Sequence, residues 1–215
     1  GTYCPTDIVK QWDLNPIFEY DLKKAFEEST SPELISLKRD LITKPTFSDV
    51  MVFLDHASKH EKITFDIETT PPNITCVGIG VSKVMAMCIP TIPSYWNSMG
   101  QLKTVLQAIN KVLSNPNILK IGQNISYDIQ YLHRIFGILP AHPWADTMLM
   151  QHACYSEMRK GLDFLTSIYT KEPYYKDDLK TWFTAQSDNQ MLWTYNARDC
   201  VITFEVYEAL VKELK

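Results

Sequence analysis

Residues 63–89 restrict the fold more than any other part of the chain. Ile63, Phe65 and Ile67 alternate with Thr64, Asp66 and Glu68, the period of two that puts one set of side chains on each face of a strand. Two nearly unbroken apolar runs follow, at 74–81 and 84–89, separated only by Ser82-Lys83. A two-residue link between strand-like runs predicts an antiparallel hairpin, although it lacks the favoured Asn-Gly chemistry. The first strand then carries two acids on one face while its neighbours are apolar, a placement in which carboxylates need a partner.

The surrounding pattern is mostly helical. Thr46, with Asp49 three residues on, reads as a capping-box variant opening a helix whose apolar face is Val50, Phe53, Leu54 and Ala57. Residues 102–113 are helical, 118–121 form a short strand, and 124–136 form a helix stopped by Gly137 and Pro140. Asp146 begins another helix and Gly161-Leu162-Asp163 leads into one more. Residues 171–187 are polar, aromatic and irregular, and a long helix runs from about Asp188 to Lys215. Strands, helix, strand, then helices predict an α/β domain over 46–215 with a mixed sheet whose first three strands are antiparallel. Residues 1–45 read as a helical N-terminal extension: Ile17, Tyr20, Leu22 and Phe26 are its apolar positions, and Ser29-Thr30-Ser31-Pro32 breaks it.

With 215 residues, 45% hydrophobic and 21% charged, the chain has material for one sizeable domain and a small appendage. No apolar run is long enough to span a bilayer, and the start Gly1-Thr2-Tyr3-Cys4-Pro5 has neither the basic nor the apolar segment of a signal peptide. A leading Gly1 without Met suggests a fragment. The five cysteines, Cys4, Cys76, Cys88, Cys154 and Cys200, are scattered and form no CxxC pair. That argues against a zinc site or a disulfide framework and for a reducing compartment. A net charge of −4 without a basic stripe argues against a high-affinity duplex clamp.

Three short stretches carry candidate chemistry. Asp66 and Glu68 in Phe65-Asp66-Ile67-Glu68-Thr69 are two apart on a strand and share a face. Asn124 and Asp128, and likewise Tyr195 and Asp199, are four apart on helices and stack one above the other. Each has a plain structural reading: solvated acids on the strand, Asn124 as a helix cap, Tyr195 packed on the core with Asp199 at its rim. Taken together they offer four carboxylates and a phenol, and converging carboxylates need cations; Mg²⁺ and Mn²⁺ prefer such oxygens.

In order, spacing and element type the three stretches resemble the DnaQ-like, or DEDD, 3′→5′ exonuclease superfamily, which has a ribonuclease-H-like fold. Phe-Asp-Ile-Glu-Thr matches its first motif, Asn-x-x-x-Asp its second, and Tyr-x-x-x-Asp the third motif of the DEDDy branch. The resemblance covers roughly 46–215 and is closest to proofreading domains of family A, including phage-like, DNA polymerases; Asp146-Thr147-Met148-Leu149-Met150 and Lys160-Gly161-Leu162-Asp163 look like that group too. It implies two divalent cations, Mg²⁺ or Mn²⁺, held by Asp66, Glu68, Asp128 and Asp199, with Asp66 bridging, Glu68 and Asp199 completing the first site and Asp128 serving the second. It implies that Tyr195 orients the attacking water, a better role than general base for a phenol that titrates near ~10. Thr69, Asn124 and Tyr127 would then contact the terminal nucleotide.

These expectations describe a metal-dependent 3′→5′ exonuclease acting on a single-stranded DNA 3′ end and releasing nucleoside 5′-monophosphates. It would serve as the proofreading module of a polymerase domain absent from this chain, in the cytoplasm of a bacterial or phage-infected cell and without a membrane partner. The alternatives are a DEDDy exoribonuclease and a non-catalytic nucleic-acid-binding domain. Tyr169, Tyr174, Tyr175, Trp182, Phe183 and Trp193, interleaved with Lys171, Lys176 and Lys180, offer stacking and phosphate contacts; Trp193 is read as core, and Tyr174, Tyr175 and Lys180 stay open. The N-terminal Thr2-Tyr3-Cys4-Pro5-Thr6 with Trp12 and Leu14-Asn15-Pro16 resembles the tail of uracil-DNA-glycosylase-like domains, with Cys4 in place of the usual His; a capping extension is the alternative.

Overall fold

A computed structural model describes residues 4–33, 37–173, 175 and 189–215. The alternation at 63–67 produces strand β2 (Lys62–Thr70), flanked in sequence by β1 (Asp40–Ile42), β3 (Asn73–Gly80), β4 (Met85–Pro90), β5 (Leu119–Gly122) and β6 (Trp144–Asp146). Among the described residues these form one sheet in the order β1-β4-β3-β2-β5-β6. β2, β3 and β4 run antiparallel, while β1 joins β4, β5 joins β2 and β6 joins β5 in parallel. The expected mixed sheet with its antiparallel centre is the one observed.

The helices are α1 (Pro5–Lys10), α2 (Asn15–Ser29), α3 (Phe47–Ala57), α4 (Met99–Leu113), α5 (Ile125–Phe136), α6 (Thr147–Cys154), α7 (Leu162–Tyr169) and α8 (Asn189–Glu213). α3 starts where the sequence places it: Thr46 Oγ1 accepts from Asp49 N–H, and the Asp49 carboxylate accepts from Thr46 N–H at 2.8 Å. Its face of Val50, Phe53, Leu54 and Ala57 is buried. Gly137 ends α5 in the left-handed region, φ 67°, where a residue without Cβ is favoured.

Two apolar layers sandwich the sheet. On one side Phe53, Ile63, Phe65, Ile67, Val105, Ile109 and Leu132 join β2 to α3, α4 and α5. On the other, Cys76, Cys88, Leu165, Trp193, Cys200, Val201 and Val206 join β3 and β4 to α7 and α8. The long α8 lies across β2, β3 and β4, so the face of β2 that carries the acids is covered by a helix rather than by water.

Two strands and one helix face differ from the sequence reading. β1, within the stretch read as helical, and β6 are sheet strands of three residues each. In α2 the side toward the domain is Ile17, Tyr20, Lys24 and Glu28, all half-buried, and Lys24 Nζ donates to the Ser167 and Thr170 carbonyls at the end of α7. Leu22 and Phe26 face outward, 50% and 74% exposed. Leu22 is two residues from Tyr20, which on a helix is the far side.

Candidate active site

The β2–β5 ladder ends at Thr64 opposite Ile121. Beyond it β2 continues to Thr70 with an edge that β5 no longer covers. A buried amide there needs another acceptor, and Ile67 N–H finds one in Asp128 Oδ1, 2.9 Å away. Asp128 is one turn into α5, which begins directly after β5, and is 4% exposed. The motif acid of the helix thus closes on the backbone between the two motif acids of the strand.

α5 is set in place by Asp146. Its carboxylate accepts from Asn124 N–H at 3.0 Å and Ile125 N–H at 3.1 Å, and from Met148 N–H at 2.9 Å, so one acid caps two helices. Asn124 itself stands in the left-handed region, φ 56°, makes no side-chain cap bond and is exposed. The capping role weighed for it belongs instead to Asp146. A register shift between Glu68 and Thr69 turns the end of β2, and Thr69 Oγ1 meets the Tyr127 hydroxyl at 3.0 Å on the rim.

On the covered face, Thr64, Asp66 and Glu68 pair across to Gly80, Gly78 and Cys76 of β3. The two glycines let α8 come close. A Cβ at Gly78 would lie 2.6 Å from both Asn196 Oδ1 and Cys200 Sγ. Thr64 Oγ1 donates to the Cys200 carbonyl at 2.9 Å, and Asn196 Nδ2 donates to Asp66 Oδ2 at 2.8 Å. Tyr195 and Asp199 are both buried on α8, and the Tyr175 hydroxyl donates to Asp199 Oδ1 at 2.6 Å, its ring 5.7 Å from that of Tyr195.

The electrostatics tie these groups together. Burial, then the Asp66 charge, pushes the Asp128 carboxyl well above the ordinary 3.8. Burial, then the charges of Asp199, Glu68 and Asp66, pushes the Tyr195 phenol up. The buried Cys200 thiol is raised by burial and next by Asp66, Asp199 and Asp128.

All five acid and phenol positions therefore meet at one end of β2, with Thr69, Asn124 and Tyr127 on its rim. Among the described residues no three His, Cys, Asp or Glu side chains gather tightly enough to enclose one ion. The donor set of Asp66, Glu68, Asp128 and Asp199 is all oxygen, the ligand type that Mg²⁺ and Mn²⁺ prefer.

Two supporting residues lie outside the motif positions. Asn196 fixes Asp66 and Tyr175 fixes Asp199; their contacts cross 130 and 24 residues of sequence, and the only trace in the chain is that Asn196 adjoins Tyr195. Tyr175, left open as a stacking residue, is buried against Asp199. Trp193 is core, as expected, edge-on to Tyr95 at 5.3 Å. Tyr174, Lys176, Lys180, Trp182 and Phe183 lie outside the described residues.

A family model for the 3′–5′ exonuclease matches residues 44–215. The chain is 28% identical over 186 residues to DNA polymerase I of Borreliella burgdorferi, covering 82% of this chain and 20% of that protein. Among solved structures it resembles Escherichia coli RNase D, an exoribonuclease involved in structured RNA processing, with TM-score 0.60, 20% identity, and coverage of 82% of this chain and 45% of that one. It also resembles Brucella melitensis NrnC with bound Mg²⁺, with TM-score 0.58, 18% identity, and coverage of 84% and 82%. The chain thus spans a fifth of the polymerase and under half of RNase D. Sheet order, motif placement and these matches agree: the chain belongs to the 3′–5′ exonuclease family, within the DnaQ-like DEDDy superfamily and its ribonuclease-H-like fold.

Proposed function

We propose that this chain hydrolyses the terminal phosphodiester bond of single-stranded DNA from the 3′ end, releasing nucleoside 5′-monophosphates, as the proofreading module of a longer cytoplasmic DNA polymerase. The observation that carries the reading is the meeting of Asp66, Glu68, Asp128, Tyr195 and Asp199 at one end of β2. The similarity to one fifth of a DNA polymerase I supports the polymerase context.

Asp66, Glu68, Asp128 and Asp199 would hold the divalent cations, Mg²⁺ or Mn²⁺, together with water and the substrate phosphate. Bound there, such ions supply charge stabilisation for an in-line displacement and lower the pKa of the attacking water. The protein's own groups do the rest. Tyr195, kept neutral by burial and then by its acidic neighbours, hydrogen-bonds the attacking water and fixes its direction. Asn196 and Tyr175 hold Asp66 and Asp199 in place, a supporting role that second partners commonly play around metal-binding carboxylates. Thr69, Asn124 and Tyr127 are the groups at the rim that meet the terminal sugar and base.

The second reading, RNA trimming, is favoured by the likeness to RNase D. The test is 5′-labelled single-stranded DNA and RNA of one sequence, incubated with Mg²⁺ or Mn²⁺ beside Asp128→Ala. A DNA ladder that vanishes in the variant is the expected result. Equal or faster RNA trimming would replace the DNA reading with the RNA one, and no metal-dependent product from either would sink both.

A further inference from the structure

α5 leads out of the site, and its exposed face carries no acid. The exposed residues are Ser126, Tyr127, Gln130, His133 and Arg134; the helix's one acid, Asp128, is turned inward on Ile67 N–H. Tyr127, Tyr131 and Arg134 are spaced i, i+4, i+7 and so share a stripe. Their side chains stack in sequence: the rings of Tyr127 and Tyr131 are 4.7 Å apart and tilted 36°, and the Arg134 guanidinium lies 4.8 Å from the Tyr131 ring centroid. Among the described residues Arg134 has no ion-pair partner. The stripe begins at the Thr69–Tyr127 contact on the rim.

We propose that Tyr131 and Arg134 extend the site into a track for the single-stranded DNA upstream of the 3′-terminal nucleotide, with a phosphate at Arg134 and the Tyr131 ring holding that guanidinium in place. This rests on the exonuclease reading for its direction and its occupant. Seven residues of helix cover about 10 Å, more than one stacked base at the ~3.4 Å spacing of bases along a strand. Arginine supplies both phosphate charge and a stacking plane, which suits a strand gripped without regard to sequence. A stripe free of acids also solves a problem set by the site, where four carboxylates repel an approaching polyanion.

Tyr131 is half-buried and packs against the core, so Tyr131→Ala is paired with Tyr131→Phe, which keeps the ring, and with Arg134→Gln, which leaves the core untouched. Two measurements separate the track from the exonuclease reading. The first is the affinity of fluorescent oligothymidylate eight nucleotides long, by anisotropy in chelator. Tyr131→Ala and Arg134→Gln are expected to weaken binding about tenfold, and Tyr131→Phe to retain it. The second is KM for oligothymidylates of two, four and eight nucleotides with Mn²⁺. Wild type is expected to improve with length, and the two weakening variants to lose that dependence in KM. Wild-type affinity in both variants overturns the track, whether or not the chain is an exonuclease. Track-dependent binding without any cleavage leaves the track standing and overturns the exonuclease reading. Equal dependence with oligouridylate would change the occupant from DNA to RNA and overturn the proposal as stated.

Discussion

Asp128 and Asp199 lie on either side of the same strand end, yet they are held by different kinds of donor. Asp128 accepts from a main-chain amide, Ile67 N–H at 2.9 Å. Asp199 accepts from the Tyr175 side chain at 2.6 Å, and Asp66 from Asn196 at 2.8 Å. A main-chain amide persists through almost any substitution at its own position. The α5 side of the site is therefore insulated from local sequence change, whereas the contacts of the α8 side include two side chains that one substitution each removes.

The largest effect is expected at the acid itself. Asp128→Ala should reduce release of labelled mononucleotide by more than the ~10–100-fold typical of losing an outer partner; activity within tenfold of wild type would break its assignment. Next come the supports. Tyr175→Phe and Asn196→Ala should each lower activity about 10–100-fold, while Ile67→Val, which keeps the amide, stays near wild type. If Ile67→Val and Tyr175→Phe fell together, the contrast between the two sides would be wrong.

A smaller effect appears without substrate. An aspartate whose folded pKa is raised binds its proton more tightly when folded. Its contribution to stability is fully present below the ordinary 3.8 and is lost as the pH rises through the raised value. In chelator near neutral pH, Asp128→Asn should therefore melt above wild type, by roughly 2–4 °C for each kcal/mol recovered, and the gap should close as the pH falls toward 3.8. Added Mg²⁺ should stabilise wild type more than the variant. An Asp128→Asn protein that melts at or below wild type in chelator would show that the buried charge costs nothing. The smallest effect is a control outside the site: Thr46→Ala removes the capping box of α3 and should cost about 1 kcal/mol, read by denaturant unfolding, with kcat/KM unchanged.

Much of this was legible in the chain because local signals carried it. The alternation of β2, the Thr46–Asp49 box and the Gly137 stop are each written within a few residues, and the five acid and phenol positions are marked by spacing. What escaped was either too short or too distant. β1 and β6 have three residues apiece, below the length at which a period of two can be read, and they are strands because β4 and β5 offer them an edge. Asp146 was visible as the start of α6, but its hold on α5 reaches back 22 residues. Leu22 and Phe26 look like core by composition, and only the docking of α2 through Tyr20 and Lys24 shows that they point away.

The approach of α8 to Gly78 bears on how related chains are judged. Gly78 sits across from Asp66 and under Asn196, in a space with no room for a methyl group. A descendant that kept every acid and the phenol but gained a side chain there would pass any inventory of catalytic letters. The Asn196 amide and the Cys200 thiol would nonetheless have to move aside, and the hold of Asn196 on Asp66 with them. Loss of activity in this lineage can thus begin at a position that bears no functional group, and a chain's competence is better read from the emptiness beside its acids than from the acids alone.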